Sequence, residues 1–170
     1  YYKKNYNQIP VITPNGMIVA KNNTILEYNL VCQAFYNIVQ KLNIDEHITS
    51  WHLPLNLRLR LNKEDERNLT RHHPTSYKHT DSWAGESANS VTTMIPILGD
   101  TKRNYVQFYN PPKDFKEEWL GPRPSYKDGE EIANKYKKLD YNGYNKGSLL
   151  LADFATIHGS TLEKGAGLRV

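Results

Sequence analysis

His79-Thr80-Asp81 is the shortest stretch of this chain whose residue types and spacing could hold a metal. In extended backbone, residues i and i+2 share a face, so His79 and Asp81 project together and Thr80 turns away. A neutral imidazole beside a carboxylate supplies two ligands of a two-His, one-carboxylate facial triad. Such a set suits non-haem Fe(II) and leaves coordination positions open. The third ligand must come from elsewhere. His158 is the best placed, 79 residues further on, at the end of the apolar run that starts at Gly147. Arg169 follows eleven residues later, after a loop with three glycines. A strand end, that loop and an antiparallel return would set Arg169 near His158. A buried arginine there calls for an anion, because its planar fork matches a carboxylate with two parallel hydrogen bonds.

Each part alone is weak. An H-x-D triplet arises by chance, and a histidine after an apolar run is more often a satisfied core or turn residue. Their joint order is more specific: H-x-D before a β-rich run, then an apolar run ending in His158-Gly159-Ser160, then Arg169.

The elements that must position these residues can be read in order. Residues 1–20 read as an N-terminal arm and a short strand, with a turn at Pro14-Asn15-Gly16. Residues 24–42 carry the clearest helical pattern. Thr24 and Glu27 have capping-box spacing, and Leu26, Leu30, Ala34, Ile38 and Leu42 recur every four residues as a stripe that should face a core. Residues 51–61 alternate as a strand, with Leu53, Leu55, Leu57, Leu59 and Leu61 on one face. Arg58 and Arg60 share the other face. The plainer account of that face is solvated sheet; the sharper one is a barrel mouth where both arginines meet an anionic substrate or cosubstrate.

His72 and His73 are adjacent, point to opposite sides of an extended chain and read as loop residues. Further strands are expected at 77–83, 91–98, 105–109, 147–158 and 168–170, with a helix from Gly129 to Leu139 capped by Asp128. Residues 110–146 form a long insertion, of the kind that serves as a lid or a substrate-selecting flap. Many short strands, one flanking helix and no strand–helix alternation give a mainly β chain, an antiparallel sandwich or jelly-roll barrel.

Composition narrows the function classes. The 170 residues suit one domain. There are 22 Lys and Arg against 18 Asp and Glu, a net charge of +4, with both signs interleaved, so charge gives no case for nucleic-acid binding. No apolar run approaches the ~18 residues of a membrane span. No signal-peptide pattern opens the chain, and Cys32 is its one cysteine, which excludes an internal disulfide and fits a reducing, cytoplasmic compartment. The chain starts without Met and stops in what reads as mid-strand, which predicts a natural protein that extends further.

The pattern resembles the Fe(II)- and 2-oxoglutarate-dependent oxygenases, whose core is a double-stranded β-helix, a cupin-like jelly-roll barrel. It is most similar to the phytanoyl-CoA-hydroxylase-like branch. The matching words are His79-Thr80-Asp81-Ser82-Trp83, Val91 to Ile97, Gly147 to Asp153, and His158-Gly159-Ser160 with Arg169. They span roughly residues 50–170. The first word also resembles oxygenases from carbohydrate and aminoglycoside gene clusters, such as the streptomycin-biosynthesis type.

The resemblance implies that His79, Asp81 and His158 ligate iron. It implies that 2-oxoglutarate chelates the ion through its C1 carboxylate and keto oxygen, that its far carboxylate pairs with Arg169, and that O2 takes an open position. Trp83, Thr93 and Gln107 fall at pocket positions. A hydroxyl that often stands two residues after the arginine lies past Val170. The implied reaction is hydroxylation of a C–H bond in a small polar molecule, such as a carbohydrate or nucleotide-sugar. The competing reading is a cupin-like metal-binding isomerase or sugar-binding domain that does not turn over 2-oxoglutarate. A nucleic-acid demethylase on the same fold would want a broader basic, aromatic groove.

Overall fold

The computed structural model describes residues 12–52, 55–63, 69–87, 89–141 and 143–170. Its strands are short, and it is mainly sheet with few helices. Helix α1 is Ile25–Lys41. Strand β1 (Val91–Met94) pairs antiparallel with β4 (Leu150–Asp153). Strand β2 (Asn104–Asn110) is the centre of a second sheet, between β3 (Lys137–Lys138) and β5 (Ile157–Leu162), both antiparallel to it. A one-turn helix, α2 (Glu130–Ala133), precedes β3. Among the described residues the two sheets do not close into a barrel.

The apolar run 147–158 was expected as one buried strand, and it divides instead. Asp153 accepts hydrogen bonds from Ala155 N through its side chain and from Thr156 N through its carbonyl, and this turn ends β4 and starts β5. The two halves therefore join different sheets. His158 is the second residue of β5, not the end of a strand, and the glycine-rich loop begins only after Leu162.

Residues 55–61 form no regular strand, and Leu53 and Pro54 lie outside the described residues. The segment still bonds on both edges. Leu59 N donates to Gly16 O, Ile18 N donates to Leu57 O, and Arg60 and Arg169 exchange backbone hydrogen bonds at 2.8 Å. Gly16, with φ +82°, closes the turn that starts at Pro14; a Cβ there would sit 2.2 Å from the Leu59 carbonyl. Residues 168–170 run between residues 58–60 and residues 97–100. Leu59 and Ile12 are buried there, with Ile18, Leu61, Leu168 and Val170 packed against them.

Helix α1 departs from the sequence pattern. The residues it buries are Tyr28 and Val39. The stripe expected to face a core is turned outward, with Leu26 68 % and Leu30 62 % exposed and Ile38 and Leu42 exposed as well. The buried side follows a different i, i+4, i+7 row, which takes in Cys32 and Phe35; Phe35 packs edge-on against Trp51 at 5.7 Å. Thr24 makes no cap, because its hydroxyl instead accepts a bond from Lys21 N.

The segment 110–146 packs inward. Trp119, Tyr126, Ala133 and Tyr136 form one core cluster with Trp83 and Ile157. Trp83 Nε1 donates to the Trp119 carbonyl at 2.7 Å. Gly129 lies against the Trp83 ring, where a Cβ would come within 2.2 Å. The helix expected over 129–139 is a 3-10 turn (Tyr126–Gly129) followed by α2, and its cap is Ser125 rather than Asp128. Ser125 Oγ accepts from Lys127 N, while Asp128 Oδ2 accepts from Ser125 N. No helix among the described residues is long and apolar enough to cross a membrane.

Candidate metal centre

The site is built on β5. One edge of β5 pairs with β2, and its other edge pairs with the segment 77–79. His79 N donates to His158 O, and His158 N donates to His79 O, both at 2.8 Å. Residues opposed in this way present their side chains on one face. Gly159 permits the approach, since a Cβ there would lie 3.3 Å from the Tyr77 carbonyl.

The extended backbone expected over 77–83 stops at Thr80. Thr80 is still extended (φ −111°, ψ 148°), and Asp81–Ala84 is a 3-10 turn. Thr80 is fully buried. Its hydroxyl caps that turn by accepting from Ser82 N and donates to the Phe154 carbonyl. The turn places Asp81 over both imidazoles. Asp81 Oδ1 is 3.9 Å from His79 Nε2 and 3.8 Å from His158 Nε2. All three ligand atoms lie within 4.8 Å of one another. Two donors of one ion with bonds near 2.1 Å can stand at most about 4.2 Å apart; both Asp81–imidazole separations fall inside that limit, and the two imidazole nitrogens lie within 4.8 Å of each other.

The hydrogen bonds around the donors are those a metal needs. His79 Nδ1 donates to Tyr77 O at 2.7 Å, and His158 Nδ1 donates to Thr156 O at 3.0 Å. A carbonyl only accepts, so each ring carries its proton on Nδ1 and keeps the Nε2 lone pair. Asp81 Oδ2 accepts from the Thr92 hydroxyl at 2.8 Å, which leaves Oδ1 to face the imidazoles. Burial drives the His79 pKa down to about 3, with the neighbouring His158 acting in the same direction. His79 is thus neutral near pH 7, as a ligand must be.

Aromatic rings wall the centre. Tyr126 stacks on His79 with ring centroids 4.0 Å apart, and Phe108, opposite His158 in the β2–β5 register, lies 5.7 Å from it. Burial raises the Tyr126 hydroxyl pKa, and the Asp81 carboxylate adds to that. The phenol therefore stays protonated.

The other residues singled out in the sequence divide. Arg58, Arg60 and Arg169 gather in one place. Arg60 and Arg169 are backbone partners, and Arg58 lies two residues before Arg60 on the same extended segment. Burial, with the nearby Arg60 and Arg58 charges acting in the same direction, lowers the Arg169 pKa to about 10. Burial lowers the Arg58 pKa too, while the charge of Asp81 opposes the shift. Among the described residues, no carboxylate forms a salt bridge with Arg58 or Arg169. Trp83 is buried in the core cluster, where it anchors the 110–146 segment. Thr93 is exposed, on the face of β1 opposite Thr92. Gln107 is fully buried on the face of β2 opposite Phe108, and its amide donates to the Phe108 and Leu139 carbonyls.

Sequence reasoning missed Thr92, Phe108 and Tyr126. Thr92 and Thr93 differ only in strand parity, and parity is fixed by the turn before β1. Tyr126 is one of twelve tyrosines, and nothing in its neighbours marks it.

Comparison with protein-family models, curated proteins and solved structures finds no match to this chain.

Proposed function

We propose that this chain is an Fe(II)- and 2-oxoglutarate-dependent oxygenase that hydroxylates a C–H bond of a small polar molecule, on a double-stranded β-helix core. One observation carries the reading. Two imidazoles, each locked with its proton on Nδ1, turn their Nε2 atoms toward one carboxylate oxygen, and Thr92 holds the other oxygen. Three protein ligands of this kind leave an ion room for further ligands, as in a facial triad, whereas a closed structural site uses four. The bound ion would supply the oxygen chemistry.

The chain's own residues have separate tasks. His79, Asp81 and His158 orient the ion. Tyr126 and Phe108 shield one side from water, which strengthens electrostatic interactions inside the site. Arg169 is a cation partly buried without a carboxylate partner among the described residues, and it suits the far carboxylate of 2-oxoglutarate. That arginine favours this reading over a cupin-like metal domain, which has no use for an anion anchor. A carbohydrate or nucleotide-sugar remains the proposed substrate class on family resemblance.

The test is turnover of 2-oxoglutarate without primary substrate. The Fe(II)-loaded protein in air is expected to release succinate slowly, and Arg169→Ala is expected to raise the 2-oxoglutarate concentration required by tenfold or more. A protein that binds iron and releases no succinate under any substrate screened would support the cupin-like reading instead.

A further inference from the structure

Helix α1 is held to the rest of the protein by one side. Tyr28 and Val39 are its buried residues, and the Tyr28 hydroxyl donates to the Leu55 carbonyl. The outward side carries Leu26, Leu30, Ala34, Ile38 and Leu42, one residue every four, so each side chain neighbours the next along a single ridge. All five are exposed. Isolated surface leucines are ordinary, whereas a continuous apolar ridge marks a contact surface.

The ridge is symmetric about its middle residue. Leu30 and Ile38 stand four residues to either side of Ala34, and Leu26 and Leu42 stand eight. The small side chain is thus at the centre, where two crossing helices would come closest. The charges follow the same symmetry. Glu27 and Lys41 are the only charged residues of α1, they lie seven residues before and seven after Ala34, and both are exposed. Seven residues are close to two full turns, so Glu27, Ala34 and Lys41 line up along one side. A ridge of this kind is complementary to itself turned end for end. In a two-fold antiparallel pair centred on Ala34, Leu26 meets Leu42, Leu30 meets Ile38, and Glu27 faces Lys41 at both ends. A parallel pair would set Glu27 against Glu27 and Lys41 against Lys41. The amides of Gln33 and Asn37, hydrogen-bonded to each other at 3.0 Å, supply a polar rim. With Lys41 as its one basic residue, α1 lacks the cationic polar face of a helix that lies on lipid.

We infer that α1 is a self-association surface, and that its partner is α1 of a second copy of this chain, packed antiparallel across a two-fold axis at Ala34. The inference is independent of the proposed function. One helix pair buries less than the ~800 Å² per partner of a standard interface, so the dimer is expected to dissociate at a concentration on the order of 10 μM.

The experiment is sedimentation velocity over concentrations that bracket that value. Wild type is expected to pass from monomer to dimer. Leu30→Gln is expected to weaken the dimer about tenfold or more, with an unchanged melting temperature because the side chain is exposed. Glu27→Lys and Lys41→Glu are each expected to weaken it about tenfold, since each alone sets like charges across the two-fold axis. Mixed one to one, these two variants form a heterodimer in which both facing pairs are again opposite in sign, and its affinity is expected to return to that of wild type. That recovery separates a lost contact from a lost fold, because mixing repairs neither chain. A wild type that stays monomeric overturns the inference, and its flotation with neutral lipid vesicles would give the ridge to a membrane instead. A dimer that Leu30→Gln leaves unchanged also overturns it. So does a dimer indifferent to both charge reversals, or one that mixing does not restore, since the antiparallel pairing is then wrong.

Discussion

His79 and His158 sit directly opposite each other across an antiparallel bridge, each donating its backbone N–H to the other's carbonyl at 2.8 Å. Two residues 79 positions apart in the chain are thus held by four backbone atoms, and their rings lie 4.5 Å apart on one face. The candidate ligand pair is set by sheet pairing rather than by a flexible loop. The third candidate ligand, Asp81, is delivered by the 3-10 turn that begins where this bridge ends.

The bridge depends on a bare backbone at Gly159. A valine there would press on the Tyr77 carbonyl and on Lys78, whose nearest atoms lie 3.3–3.5 Å from a Cβ at that position. Gly159→Val is expected to cost about 1–3 kcal/mol in a denaturant titration. It should also weaken Fe(II) binding, because residues 77–79 are pushed away from β5. Unchanged metal affinity would show that the bridge does not set the ligand spacing.

Thr92 holds Asp81 from behind. Thr92→Val keeps the shape and removes the hydroxyl, freeing Asp81 Oδ2. Metal affinity is expected to fall about 10- to 100-fold, the usual range when a partner of a ligand is lost, with little change in melting temperature. Thr93→Val, on the exposed face of the same strand, is the control and should change neither.

The metal-free protein should weaken in mild acid. His79 has its pKa lowered from 6.5 to about 3 in the fold. Between those values the unfolded chain takes a proton that the folded chain refuses. Stability is therefore untouched above pH 6.5, falls as pH drops through the window, and levels off below about 3. The loss is on the order of a few kcal/mol. Denaturant titrations of metal-free protein at stepped pH should show this slope, and His79→Gln should flatten it. An equal slope in the variant would place the acid sensitivity elsewhere.

Sequence spacing was a good guide to which residues meet and a poorer one to how. The i, i+2 argument joined His79 and Asp81, although Asp81 is in a 3-10 turn, because Thr80 alone needs to be extended for the two to stay on one side. The run 147–158 looked continuous because apolar residues do not record which sheet they join, and the break lies in the Asp153 turn bonds. In α1, two apolar rows compete at helical spacing. The longer one, Leu26 to Leu42, faces out, and Tyr28 and Val39 face in. Periodicity shows that a helix has an apolar side, but tertiary packing chooses the side. Thr92 and Tyr126 were beyond reach for a related reason: their parts in the site are long-range contacts with no local signature.

The most direct measurement is an anaerobic titration of Fe(II) and then 2-oxoglutarate, followed by visible absorption. One Fe(II) per chain is expected, with a weak charge-transfer band on adding 2-oxoglutarate and with iron binding lost in His79→Ala, Asp81→Ala and His158→Ala. Iron bound by all three variants as by wild type would contradict the centre described here. Iron bound by wild type without the band would keep the centre and remove the oxygenase.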